Sequence, residues 1–368
     1  MKKLLFSALL LLLSFWSFAQ YYRAESDLQR LFKTDSAVLN FNIDNYNFLW
    51  NNEFFSPIIE GYTLIGYNIQ PAFEYHFTPE IKAKAGIYLL NYFGEGKYTH
   101  CLPIYSVTWH KNNLAVTMGT INGASFHRLP DPVMNRERQL TNINENGMQI
   151  VYNTSNLFVD VWVDWQAFIF QNDMEKEEIF GGLSVDWQAF KNQSLAVSIP
   201  ASWVIYHKGG QIDISPEPMK LLYHFSAGLE LELFSQGFID KWTARTELLS
   251  FHDNSPKPES IYEQGVGSLS SLSIYHKKSS FSLGYWYGNQ FLSRQGNQIY
   301  QCKSYDPVKN ETDRFLFTAE LNIVKEITDY FTMGLCGKGY FDTNNEQFDY
   351  TYAFTMTLCP QFEIWRRK

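Results

Sequence analysis

The sequence predicts an all-β fold, a transmembrane antiparallel β-barrel of about sixteen strands. Two observations carry that reading. Apolar and polar side chains alternate with period two over runs of about ten residues or more, along nearly the whole chain. Aromatic residues make up 17% of the 368 residues while the mean hydropathy stays polar at -0.26. That mixture suits strands that meet lipid on one face and water or polar groups on the other.

The elements follow in order. The chain opens MKKLLFSALLLLLSFWSFAQ, with Lys2 and Lys3 as a positive start, an apolar stretch, and Ser17-Phe18-Ala19 as a small-residue cleavage site. Residues 1–19 therefore read as a signal peptide, and 20–36 as a short periplasmic N-terminal segment. Residues 37–368 read as one barrel domain in the outer membrane of a Gram-negative-type bacterium. No long apolar run follows the signal, which excludes a polytopic helical membrane protein. A net charge of -8 with no concentrated basic patch excludes a nucleic-acid partner.

Strands are expected near 37–50, 62–77, 80–92, 98–109, 113–121, 147–153, 157–170, 178–190, 194–206, 219–234, 241–252, 261–276, 280–288, 313–324, 329–341 and 347–365. From Leu157 to Phe170 the odd positions are all apolar, and the even positions carry Asp160, Asp164 and Gln166 among aromatics. Leu221 to Phe234 repeats the pattern, with Glu230 and Glu232 on the polar face. A soluble sandwich strand runs about 5–6 residues, whereas a strand tilted across a bilayer needs about 9–11. In hydrocarbon every backbone N–H and C=O must be paired within the protein, so such a sheet closes on itself. Connections after residues 121, 206, 252 and 288 are long, and those near 110–113, 154–156, 191–193, 276–279 and 325–328 are short. This gives long extracellular loops and short periplasmic turns. The first and sixth strands alternate least clearly, which leaves fourteen and eighteen strands open.

The loop Ile121–Gly147, after the fifth strand, carries His127, Arg128, Asp131, Arg136, Glu137 and Arg138. With the signal peptide, the alternating strands and the long/short loop pattern, this chain resembles the bacterial outer-membrane porins. The resemblance is one of architecture, without a diagnostic motif. It implies that Ile121–Gly147 folds inward as a constriction loop. One departure is the C-terminus, where Trp365 is followed by Arg366-Arg367-Lys368 rather than ending the chain.

The inner wall is expected to carry acidic Glu74, Asp160, Asp164, Asp186, Glu230, Glu232, Glu247, Glu320 and Glu363. Basic Lys82, Lys84, Arg245, Arg314 and Lys338 join them, with His76 and His224. That acidic balance favours cations mildly. If the turn at 171–177 pairs Phe170 with Phe180, Asp164 faces Asp186, a like-charge pair that wants a cation. Arg128, Arg136 and Arg138 are one source and a Ca²⁺ ion is another, while a slipped register removes the clash. Phe158, Trp162, Phe168 and Trp286 could stack on sugar rings or pack against the inward loop.

For catalysis, Ser125 and His127 share a face with Asp131 nearby, but same-strand neighbours rarely reach the geometry of an activated nucleophile. The histidines show no H-x-x-x-H or H-E-x-x-H spacing, so no metal or other cofactor is expected. Cys101, Cys302, Cys336 and Cys359 are expected as unpaired thiols. The sequence thus points first to a porin and not an enzyme, passing small hydrophilic solutes through a lipid-embedded barrel, a saccharide channel being one form of it, with a homotrimer compatible. The alternative is a plugged barrel that acts as an outer-membrane hydrolase or a surface-binding protein.

Overall fold

The computed structural model describes residues 20–142 and 144–367, with the backbone alone for 20–24. The signal peptide lies outside the described residues. An α-helix, α1, spans Gln20–Leu31. The wall begins with β1 (Val38–Glu53), β2 (Tyr62–His76), β3 (Ile81–Tyr92), β4 (His100–Lys111) and β5 (Leu114–Asn122). A one-turn helix α2 (Arg138–Thr141) follows, then β6 (Asn144–Asn153), β7 (Leu157–Ala167), β8 (Glu177–Lys191), β9 (Leu195–Gly209) and β10 (Lys220–Phe234). The rest comprises β11 (Lys241–Asp253), β12 (Gln264–His276), β13 (Ser279–Asn289), β14 (Asp313–Thr328), β15 (Phe331–Asp342), β16 (Gln347–Leu358) and β17 (Gln361–Arg366).

From β1 to β16 each strand pairs antiparallel with the next in sequence, and β1 closes the ring by pairing with β2 on one side and with β16 and β17 on the other. β16 and β17 are two parts of one stave, interrupted at Cys359-Pro360, where proline has no N–H to give the ladder. The result is a closed barrel of sixteen staves. Closure removes the exposed sheet edge that hydrocarbon forbids.

Alternation decides what each face meets. On β1, Asn40, Asn42, Asp44 and Phe48 are buried toward the lumen, while Phe41, Ile43 and Leu49 take the intervening positions. Outside, Leu229, Leu231, Leu248, Phe317 and Leu335 are exposed, as a lipid-facing band requires. Phe77, Trp109, Trp187, Trp242 and Trp365 ring the end carrying the short turns, with Tyr75 against Phe77 and Trp365.

Three expectations need correction. The segment after the signal contains α1, which enters the barrel: Leu28, Leu31 and Phe32 pack with Ala115 and Val151 of the wall and Phe126 of the β5–β6 loop. The seven-residue turn predicted at 171–177 is a longer connection, because β7 stops at Ala167 and β8 starts at Glu177. Asp164 consequently lies opposite Phe180, Asp186 opposite Phe158 and Asp160 opposite Ser184, so the like-charge pair does not form, and the register is neither the one that pairs Asp164 with Asp186 nor the slipped one that removes the clash. Finally, β6 begins at Asn144 rather than 147, which shortens the loop before it.

Candidate active site at the extracellular edge of β1 and β2

The lumen is occupied. The β5–β6 loop supplies Val133 and Met134, and the β13–β14 loop supplies Phe291, Leu292, Ile299, Tyr300 and Cys302, to one continuous apolar core. Its other members come from the inner wall, including Trp162, Phe180, Val204, Phe251, Trp286 and Leu316. Side chains from opposite sides of the barrel therefore meet through two inserted loops. Packed apolar surface of this kind excludes water.

Ionic contacts tie the first loop to the wall. His127 Nδ1 lies 2.7 Å from Asp160 Oδ2, and Nε2 lies 2.9 Å from Glu145 Oε2. Its ring stacks on Trp162 with centroids 3.8 Å apart. Burial alone would lower the His127 pKa, but the two carboxylates outweigh it and raise the value to about 10. The imidazole is thus a cation at neutral pH. Gln149 donates to the other oxygen of Asp160. Arg128 reaches Asp186 at 3.1 Å and lies over the Phe158 ring at 3.7 Å. Asp131 pairs with Lys338 at 3.0 Å, and Arg136 with Glu320 at 3.3 Å. Burial works against ionised Asp131, but Lys338 and Arg136 prevail and hold its pKa below the usual carboxylate range. Arg138 is the exception: its Nε and Nη2 are buried without a hydrogen-bond partner among the described residues, and Glu145 and Asp164 act on it through their charge.

The other expected wall residues are distributed among local networks. Asp164 accepts from the Asn146 N–H and from Gln166. Arg245 bridges Glu230 and Glu247, and Lys241 pairs with Glu232. Arg314 is fully buried, 2.7 Å from Asp342 and 3.1 Å from Glu311. Lys82 donates to the Arg30 carbonyl of α1, Glu74 contacts His76 at 3.0 Å, and Lys84 lies opposite Glu74. His224 bonds the Leu292 carbonyl, and Glu363 pairs with Arg366 at the exposed end of β17. Phe158, Trp162 and Trp286 pack against the inserted loops, whereas Phe168 lies beyond the end of β7 and is exposed. All four cysteines are free thiols. Ser125 and His127 do not form a nucleophile–base pair, since both ring nitrogens of His127 are committed to carboxylates.

A polar group that alternation did not flag sits at the extracellular end of β1, where the motif Asn51-Asn52-Glu53 straddles the wall. Asn52 faces inward. Its Oδ1 accepts from Trp50 and Thr351, and its Nδ2 donates to Glu137, which also accepts from the Tyr62 hydroxyl at 2.8 Å. Burial raises the Glu137 pKa despite those two donors. Asn51 and Glu53 face outward. Asn51 Nδ2 donates to Glu53 Oε1 at 2.7 Å, and its Oδ1 accepts from the Thr63 hydroxyl. Asn51 is itself only 5% exposed, held between Thr63 on β2 and Tyr352 on β16, while Glu53 is partly open and Thr63 exposed. Asp349 fixes the adjoining connection by accepting from the Phe55 and Ser56 N–H groups. The signal in the sequence was the break in pattern: Asn51 and Glu53 continue an outward face of β1 in which Asn45 and Asn47 already interrupt Phe41, Ile43 and Leu49.

A lumen crossed by an apolar core from two inserted loops, in a closed wall with a lipid-facing outer band, defines an outer-membrane barrel. The family of lipid A 3'-O-deacylase-type proteins matches residues 31–367, so the chain belongs to that family. This overturns the expectation that the chain is no enzyme. Among solved structures, the chain is similar to the outer membrane protein OprD from Pseudomonas aeruginosa, at 10% identity and TM-score 0.52, covering 90% of this chain and 96% of that one. It is also similar to a loop L8 deletion mutant of OmpT from Vibrio cholerae, at 10% identity and TM-score 0.51, covering 89% and 100%. At such identities the likeness is one of fold: an outer-membrane barrel. No curated protein matches.

Proposed function

We propose that this protein is an outer-membrane hydrolase that removes an ester-linked acyl chain from a lipid A-type glycolipid in the outer leaflet. The observation that carries the proposal is the family match across residues 31–367. The apolar core filling the lumen supports it over a porin, because a packed interior leaves solute transport no route at that level. Such a substrate presents its ester near the headgroup boundary, outside the barrel, at the height where Asn51, Glu53 and Thr63 face lipid.

In this reading Glu53 is the general base. It takes a proton from a water that attacks the ester carbonyl carbon. The carbonyl–alkoxy bond then breaks, and the sugar oxygen leaves with a proton as a hydroxyl while the acyl group leaves as a fatty acid. Asn51 holds the Glu53 carboxylate through its Nδ2. Thr63, bonded to Asn51 Oδ1, fixes the orientation of that amide. Asn52 and Glu137 brace the same strand end from inside.

The test is mass spectrometry of lipid A incubated with the refolded protein in mixed micelles. Loss of one ester-linked acyl mass in the wild type, and not in a folded Glu53→Gln variant, is the expected result. Intact lipid A after prolonged incubation with folded wild type would refute the activity. Equal hydrolysis by both proteins would refute the site.

A further inference from the structure

The outer face of β1 departs from its neighbours a second time, at mid-height. Asn45 and Asn47 occupy outward positions between Ile43 and Leu49 on this 16-residue strand. In register beside them stand Ile69 and Tyr67 on β2, and Leu358 and Met356 on β16. A spanning segment uses about 9–11 residues of a strand, so the middle of β1 lies near the middle of the bilayer. Amide side chains facing hydrocarbon are costly unless their hydrogen bonds are made.

Those bonds are only partly made within the chain. Asn45 Nδ2 donates to the Asn68 carbonyl at 2.9 Å. Asn47 Nδ2 donates to Asn45 Oδ1 at 2.7 Å and to the Met356 carbonyl at 3.3 Å. One N–H of Asn45 and the Oδ1 of Asn47 have no partner among the described residues, and both side chains are half-buried rather than covered. Acyl chains at that depth offer neither donors nor acceptors.

A donor and an acceptor two residues apart on one strand match themselves under a two-fold rotation. With the two-fold axis along the membrane normal the tilted β1 strands cross, and Asn45 of one copy donates to Asn47 of the other, twice. Ile43, Leu49, Ile69, Pro71, Met356 and Leu358 surround the pair with aliphatic surface and no charge, and Tyr67 beside Asn47 commits its hydroxyl to Tyr98. We infer that this face of β1 is the interface of a homodimer in the membrane, with a second copy of the chain as the occupant. A three-fold trimer joins two different faces and leaves the pair unmatched. This inference is independent of the hydrolase reading.

The experiment is disulfide trapping in native outer membranes. All four cysteines are first replaced by serine, and Leu49→Cys is introduced beside an intact Asn45–Asn47 pair. Leu231→Cys on the lipid face of β10 is the control. Only folded barrel, identified by its heat-modifiable migration, is scored. A cross-linked dimer from Leu49→Cys and none from Leu231→Cys is expected, with the dimer falling at least tenfold when Asn45→Leu and Asn47→Leu are added. No cross-link at position 49, equal cross-linking at both positions, a trimeric ladder, or a dimer unaffected by the leucines would each overturn the interface. Because the Leu49→Cys and Leu231→Cys comparison leaves both asparagines in place, it decides the matter even if the double leucine variant does not fold.

Discussion

His127 Nδ1 lies 2.7 Å from Asp160 Oδ2, and neither side chain is reached by solvent. The contact joins the inserted β5–β6 loop to the wall, and Glu145 completes it from the other side of the ring. A cation between two carboxylates in a dry site is a fastening for the loop and gives no free base.

That fastening depends on pH in a defined direction. The His127 pKa is about 10 in the folded protein, against about 6.5 for an unfolded histidine. The stabilisation is therefore fully present below pH 6.5 and is lost as pH rises through about 10. The urea midpoint of the wild type is expected to fall between pH 7 and pH 10.5. His127→Leu leaves Asp160 and Glu145 without their cation, should cost about 3–5 kcal/mol at pH 7, and should flatten the dependence in that window. An unchanged slope in the variant would remove His127 from the account.

Arg314 and Asp342 form a second fully buried pair, on β14 and β15. Arg314 also donates to the Ile299 carbonyl, so it anchors the β13–β14 loop. Arg314→Ala is expected to destabilise by about 3–5 kcal/mol, because Asp342 is left as an uncompensated buried charge. Denaturant unfolding of the refolded barrel measures this. A loss under about 1 kcal/mol would mean that water reaches the site.

On the outer rim, the relay from Thr63 through Asn51 to Glu53 predicts graded effects on hydrolysis. Glu53→Gln removes the base and should lower kcat by about 10²–10⁴-fold. Thr63→Val only frees the Asn51 amide and should lower kcat far less, with the pH–rate profile keeping its shape. Rates measured on lipid A micelles across pH separate the two. Equal losses for both variants would assign Thr63 a direct part in the chemistry.

Much of the wall was legible in the sequence because strand alternation is a one-body property. Which residues of Leu157–Ala167 face the lumen follows from parity alone. Register is a two-body property set by the turn, and the β7–β8 connection proved longer than parity could reveal, which separated Asp164 from Asp186. The site was less legible still. Ser125 and His127 invited attention by proximity, but the partners of His127 lie 18 and 33 residues away on β6 and β7. Asn51 and Glu53 were visible only as part of a mixed outward face on β1, where Asn45 and Asn47 also break the apolar pattern. The charges of the β5–β6 loop do reach the wall, but they meet it beside an apolar core rather than around an open constriction.

Two inserted loops pack an apolar core across the lumen of this barrel, and the proposed hydrolysis lies at the lipid-facing rim. Planar-bilayer recording of the refolded wild-type protein tests that packing most directly. The account predicts no steady conductance steps across the physiological voltage range, from protein shown to be folded and inserted. Stable, cation-preferring open steps from the intact chain would contradict it, since ions would then be passing where Val133, Trp162, Trp286 and Ile299 are packed together.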